Sequence, residues 1–275
     1  MILPIDFIKM HGLGNDFVII YQDDRILDIK DFTIQISDRK LGIGCDQFII
    51  ITRHPQLEMI IYNQDGSRAK MCGNAARCVT KLIAEELKEQ SFNLLVSGRL
   101  LECSVRDNDL YSVNMGHASF SAPWMLSEET LWDLANSVGL SSRDIMLVDM
   151  GNPHLVIIQQ NFSQKDKYIL GSKLEKHILF PDGVNVDFVS IDDGEINLEV
   201  WERGAGFTLA CGSGACASFA ACLKLGFIQE KSSINFKLGN LFLENSHNGI
   251  ILTGPASLVC KGVYYYTRLC EGKLK

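Results

Sequence analysis

The chain has no apolar run long enough to cross a membrane as a helix, since no stretch reaches even ~18 uninterrupted apolar residues. Its opening residues, MILPIDFIKMHGLG, lack the basic leader and apolar run of a secretion signal. Positive charge is also short. Lysine and arginine total 26 against 33 acidic residues, a formal charge of −7. That balance argues against nucleic acid, whose partners carry basic patches, and leaves a small zwitterionic substrate open. The nine cysteines show no C-x₂₋₄-C pairs joined by a second pair or by histidines at finger spacing, so no metal site is expected. Cys72 and Arg77 fall one residue short of a phosphatase-type loop. No Lys-Ser/Thr follows either glycine loop, so no nucleotide motif is present. An odd cysteine count without a signal predicts reduced thiols and a cytoplasmic protein.

What the chain does have is a second copy of itself. Gly14-Asn15-Asp16-Phe17-Val18 resembles Gly151-Asn152-Pro153-His154-Leu155. Gly44-Cys45-Asp46-Gln47-Phe48 resembles Asn185-Val186-Asp187-Phe188, which sets Asp46 against Asp187. Met71-Cys72-Gly73-Asn74 resembles Ala210-Cys211-Gly212-Ser213, and Gly98 answers to Gly239. The order is kept at a spacing far longer than a solenoid repeat, so it reads as a doubled domain.

Each half predicts the same sequence of elements. An apolar strand carries the Gly-Asn motif, over Phe7–Tyr21 and Leu147–Gln159. A short helix follows, near Asp31–Arg39 and Lys167–His177. Next come a hairpin, turning near Arg53–Gln56 and at Asp192-Asp193-Gly194, and then the cysteine loop. A longer helix runs from about Asn74 to Lys88, and from about Ser213 to Leu225. A further hairpin series closes each half, with Asn248-Gly249 as a turn in the second. The joining segment Ser119–Leu147 carries its own helix, begun by Ser127 and stopped by Gly139. The stretch GACASFAACLKLG, residues 214–226, is apolar almost all the way round and must be buried on most sides. The expected fold class is α+β, with two pseudo-symmetric lobes, each a β-barrel-like sheet wrapped around a central helix. The N-terminal lobe is placed at 1–117, with 263–275 returning to it, and the C-terminal lobe at 118–262.

Cys72 and Cys211 each stand immediately before a helix, where free backbone N–H groups and the helix dipole attract anions. That position is expected to ease ionisation of the thiols and to grip a substrate carboxylate. Two such thiols, one per half, suit inversion of an amino acid. One base removes the α-hydrogen from one face, and a conjugate acid returns a proton to the other. Of the other cysteines, Cys78, Cys103, Cys216, Cys222, Cys260 and Cys270 are read as packing residues.

Five motifs carry a resemblance: HGLGNDFV at 11–18, NQDGSRAKMCGNAARC at 63–78, MGNPHLV at 150–156, GVNVDFV at 183–189 and ERGAGFTLACGSGACA at 202–217. Together, and over nearly the whole chain, they resemble the diaminopimelate epimerase family. The resemblance implies conversion of L,L-diaminopimelate to the meso form for lysine and peptidoglycan, with no cofactor. In that direction it implies Cys211 as proton acceptor and Cys72 as donor. It implies Gly73, Asn74, Gly212 and Ser213 at the α-carboxylate of the reacting centre. Arg203, with Asn63, Asn152 and Asn185, would hold the distal amino acid end, and a guanidinium fork suits that carboxylate. Asn15 and Gln47 match further substrate contacts, and His154 and Glu202 match residues that influence thiol ionisation. A homodimer is also implied.

Without the resemblance, His154 would read as a structural strand histidine. Phe207 and Arg68 depart from the family, standing where many members carry an acidic residue. Two other readings compete. A racemase of a single-ended amino acid would leave Arg203 and the distal asparagines redundant. An amino acid binding module would not exchange the substrate α-hydrogen with solvent.

Overall fold

The computed structural model describes residues 2–267. It is α+β, and its contacts divide the chain into two units. One runs through Tyr111 and resumes at Ala256, and the other is Ser112–Pro255.

The first unit opens on an antiparallel pair, β1 (Ile2–Gly12) and β2 (Asn15–Tyr21). Leu13 and Gly14 turn between them with φ of 53° and 87°. The Gly-Asn motif therefore joins the last turn residue, Gly14, to the first residue of β2, and the single strand expected over Phe7–Tyr21 is two strands. Only a left-handed backbone reverses the chain this tightly while keeping the strand twist. Helix α1 (Ile29–Ser37) starts two residues before the expected Asp31 and is capped by Asp28, whose carboxylate accepts the Asp31 N–H. It leads to β3 (Gln47–Thr52), parallel to β2. β4 (Glu58–Asn63) lies antiparallel to β3, and the short β5 (Arg68–Ala69) pairs with β4. Then follow α2 (Gly73–Leu87), β6 (Ser91–Val96) parallel to β4, and β7 (Arg99–Arg106) antiparallel to β6. β8 (Leu110–Asn114) spans the boundary to the second unit.

The second unit repeats this plan after α3 (Glu128–Ser137), where the Ser127 hydroxyl accepts the Thr130 N–H and Gly139 takes φ 76°. β9 (Ile145–Asp149) and β10 (Pro153–Ile158) are antiparallel, joined through Gly151 at φ 94°. The strand expected over Leu147–Gln159 is thus also broken at its Gly-Asn motif. α4 (Gln164–Glu175), closed at its start by a Ser163/Asp166 capping box, leads to β11 (Asn185–Asp192), parallel to β10. β12 (Glu195–Glu202), β13 (Gly206–Thr208), α5 (Gly212–Lys224), β14 (Lys231–Phe236), β15 (Gly239–Ser246) and β16 (Gly249–Pro255) complete it. Buried without a break from Gly214 to Cys222, α5 packs on β9 to β12 and β14 to β16. Its small residues let the strands approach from most sides. The last strand, β17 (Ser257–Thr267), belongs to the first unit and runs antiparallel along all of β1. The C-terminal return expected over 263–275 lies in part at 268–275, outside the described residues.

The ladders align the two copies residue by residue. Phe17 pairs with Gln47 and Gln47 with Asn63. His154 pairs with Asn185, and one step beyond the Val186–Trp201 pair Asn185 falls level with Glu202. Tyr62–Arg68 likewise matches Trp201–Phe207. Arg68 and Phe207 thus occupy one equivalent slot, each against the aromatic residue of its neighbour strand. The Arg68 guanidinium lies 5.5 Å from the Tyr62 ring, and the Phe207 and Trp201 rings are 5.2 Å apart. The same alignment sets Asp187 against Ile49, so the sequence match of Asp46 with Asp187 is out of register by three residues on the first copy.

Trp201 anchors the second core and fixes α4 closely. A Cβ on Gly171 would sit 2.8 Å from two Trp201 ring atoms. Helix propensity alone would make Gly171→Ala stabilising by about 1 kcal/mol. Overpacking decides the sign instead, and a net loss of about 1–2 kcal/mol is expected in denaturant unfolding.

Candidate active site

Both cysteines are the N-cap residues of equivalent helices, Cys72 of α2 and Cys211 of α5. Each has extended backbone, with φ of −151° and −126°, and each is followed by glycine.

In the first unit Cys72, half-buried, donates through Sγ to Asn15 Oδ1 at 3.7 Å. Asn74 Nδ2 donates to the same oxygen at 3.2 Å. Asn15 is held in turn by Asp46, which accepts its Nδ2 at 3.0 Å and the Asp16 N–H at 3.0 Å. Arg39 bridges Asp46 and Asp16, each at 2.7 Å, and together with Lys9 holds the Asp16 carboxyl far below the usual carboxylate range against the cost of its burial. Gln47 Nε2 donates to Asn63 Oδ1 at 3.1 Å, one ladder step away. The expected residues Cys72, Gly73, Asn74 and Asn15 therefore form one cluster, with Gln47 and Asn63 as a second linked pair.

In the second unit the cluster is ionisable. Cys211 is 6% exposed. Its sulfur accepts the Gly214 N–H at 3.4 Å and lies 3.5 Å from Ser213 Oγ. Ser213 Oγ accepts from Asn152 Nδ2 at 3.2 Å and lies 3.0 Å from His154 Nε2. His154 Nδ1 is 2.8 Å from Asp187, with both side chains fully buried. Glu202 accepts the Thr208 hydroxyl at 2.5 Å. Burial pushes the Glu202 carboxyl up, against the lowering effect of Thr208 and His154.

The expectation that a helix start eases thiol ionisation is reversed at Cys211. Burial first, and then the charges of Glu202 and Asp187, drive its thiol well above the ordinary cysteine value. The Ser213 and Gly214 hydrogen bonds pull the other way without prevailing. A cap donor is a local stabiliser, whereas desolvation acts on the whole charge. Burial also raises the packing cysteines, Cys78 and Cys222 to about 12 and Cys103 to about 11. Cys260 is exposed, so its reading as a packing residue fails: it lies on β17, whose outer face is uncovered. Cys270 lies outside the described residues.

Asn185 and Arg203 meet at the end of β11. Asn185 Oδ1 accepts the Arg203 N–H at 2.9 Å, and Arg203 Nη1 donates to Asp182 O at 2.8 Å. Glu175 of α4 accepts the Gly204 N–H at 2.8 Å and the Trp201 indole at 2.9 Å, fixing the turn that presents the guanidinium. Sequence reasoning missed Asp46 and Asp187 as site residues. For Asp187 a signal existed: it is the only ionisable residue in the apolar run Val184–Val189 of a parallel-type strand.

The profile of a family described as diaminopimelate epimerase matches residues 7–121 and 146–259, one segment in each copy of the repeat. A diaminopimelate epimerase of Rickettsia akari is 49% identical over 269 residues, covering 97% of this chain and 99% of that one. That of Rickettsia felis is 48% identical over 268 residues, 96% and 99% of the two chains. Among solved structures, a predicted epimerase from Pseudomonas aeruginosa superposes with a TM-score of 0.69 at 16% identity over 94% of this chain and 98% of that one, which speaks for the fold alone.

Proposed function

Because the chain belongs to the diaminopimelate epimerase family, we propose that it converts L,L-diaminopimelate to the meso form with Cys72 and Cys211 as its acid and base. The observation that carries this is the thiol at the N-cap of the same helix in each copy of the repeat.

In the L,L-to-meso direction the Cys211 thiolate takes the α-proton, leaving a carbanion delocalised into the carboxylate. The Cys72 thiol gives its proton to the opposite face of that carbon. The first-turn amides at Gly73, Asn74, Gly212 and Ser213 face no helical acceptor, so they suit the α-carboxylate as its charge grows. Cys72 is thiolate and Cys211 thiol when the product leaves, which is the state needed for the reverse reaction. Arg203, Asn63, Asn152 and Asn185 are the residues for the distal amino acid, and Asn15 and Gln47 are further substrate contacts. The meso product would feed lysine and peptidoglycan synthesis in the cytoplasm, and the resemblance supports a homodimer.

Incubation with L,L-diaminopimelate in D₂O tests the proposal. Meso product carrying one deuterium at the inverted α-carbon is expected. Deuterium-free product, or none, would overturn it, and equal turnover of a single-ended amino acid would favour a broader racemase.

A further inference from the structure

The row behind His154 and Glu202 holds a carboxylate that the reaction as described does not use. In the first unit this row reads Ile19–Ile49–Ile61, and in the second Val156–Asp187–Val200. All six side chains are buried, and five are apolar. Two residues along each strand, Phe17 and Asn63 of the first copy stand where the second has His154 and Glu202. The repeat is thus an internal control. The same three strands close over Phe17 and Ile49 without a charged side chain, the buried Arg77 of that unit standing on α2 instead, so the strand plan does not require a buried His–Asp pair at this place. Such pairs are seldom kept for stability, since apolar residues of similar size serve as well.

The pair is also built into its surroundings. Asp187 Oδ2 lies on His154 Nδ1, while Oδ1 finds no hydrogen-bond partner among the described residues. That oxygen lies against Gly214 in the first turn of α5: a Cβ on Gly214 would sit 3.0 Å from it. Glycine at this position leaves room for the carboxylate; burial pushes the Asp187 carboxyl up, and the charge and hydrogen bond of His154 oppose that rise. A carboxylate on Nδ1 fixes the imidazole tautomer with the proton on Nδ1 and a lone pair on Nε2. Nε2 then accepts the Ser213 hydroxyl proton, and the Ser213 oxygen turns a lone pair toward Cys211.

We propose that Asp187 is a positioning residue that lets Cys211 ionise: it poises His154, through Ser213, to take up the thiol proton. This rests on the proposed use of Cys211 as a base. The step balances. The S–H proton passes to Ser213 Oγ as the Ser213 proton passes to His154 Nε2, leaving a thiolate, an intact hydroxyl and an imidazolium. Three ionisable groups face this relay, Glu202 from β12, Asp187 from β11 and His154 from β10. The two carboxylates repel a thiolate but stabilise an imidazolium, so the route through His154 turns their charge to advantage.

The test has opposite signs for the two roles. In a Cys72→Ala background, the rate of Cys211 alkylation by iodoacetamide is followed against pH by peptide mass mapping, with no substrate present. If Asp187 acts only as a nearby negative charge, Asp187→Asn eases ionisation and moves the midpoint to lower pH. If it stabilises the imidazolium, the midpoint moves up by about one unit, so alkylation slows about tenfold at a fixed pH below it. With Cys72 present, the same variant should lose kcat for diaminopimelate, by about tenfold or more, with KM little changed. A midpoint that is unmoved or lowered overturns the proposal even if the enzyme epimerises diaminopimelate. A raised midpoint supports it even if the substrate proves to be another amino acid. Should Asp187→Asn fail to fold, the pair His154→Phe with Asp187→Ile copies the first unit. A folded double variant with a raised Cys211 midpoint supports the relay, and one that unfolds marks the pair as scaffold and overturns it.

Discussion

Cys211→Ala is expected to lower epimerisation by about 10²- to 10⁴-fold, and Cys72→Ala by a similar factor. Each substitution removes the group that serves one face of the α-carbon. Steady-state turnover alone would not separate a lost base from a distorted site, so isomer-resolved exchange is the better measurement. Cys72→Ala retains the acceptor for the L,L form, and that isomer should still exchange its α-hydrogen with solvent. Cys211→Ala should prefer the meso form, at its D centre. The double variant should be little worse than either single one, because residues that act as a unit are not additive. Folding is not expected to confuse the result. Cys72 is a half-buried N-cap whose side chain makes no cap hydrogen bond, and Cys211 caps only the Gly214 N–H, so an alanine costs the start of α5 about 1 kcal/mol and that of α2 less. Near-normal epimerisation by Cys211→Ala would mean that one thiol suffices, and the paired-thiol mechanism would be wrong.

The helix-start position of Cys72 and Cys211 was legible in the sequence because its signal is local: a cysteine, a glycine and a small polar residue ahead of an apolar helix. The repeat was legible for the same reason, since its motifs are turns and helix starts, where particular residue types are required. What failed depends on register or on burial. Asp46 and Asp187 match as letters, yet the ladders put Ile49 opposite Asp187 in the repeat. A strand has no local mark of its partner's offset, and a short loop difference before β3 and β11 shifts the match. The Gly-Asn motif was taken as strand interior because apolar residues flank it on both sides, whereas Gly14 and Gly151 adopt φ open chiefly to glycine. The direction of the Cys211 shift required knowing that β11 and β12 bring two carboxylates behind a thiol that is already desolvated.

Arg203→Lys is expected to cut kcat/KM for diaminopimelate by about 10- to 100-fold, the range for losing one or two hydrogen bonds to a charged group. The backbone around Arg203 is fixed independently of its head group. Its N–H is held by Asn185, and the next residue's N–H by Glu175. A Cβ on Gly183 would lie 2.9 Å from Arg203 Cδ, so the glycine gives the arginine stem its path to the Asp182 carbonyl. That bond uses one of the guanidinium donors and leaves the planar fork able to pair with a carboxylate. A lysine keeps the charge but offers no fork. Because the distal end does not change in the reaction, most of the loss should fall on KM, as for an interaction made equally in ground and transition states. A larger fall in kcat than in affinity would mean that Arg203 also aligns the α-carbon with the thiols. Alkylation of Cys211 and the thermal midpoint should not move, since Arg203 is exposed and touches neither the thiol nor the core. If kcat/KM is unchanged, Arg203 has no part in binding the distal end. The substrate would then need only one amino acid end, and the single-ended racemase would become the better reading.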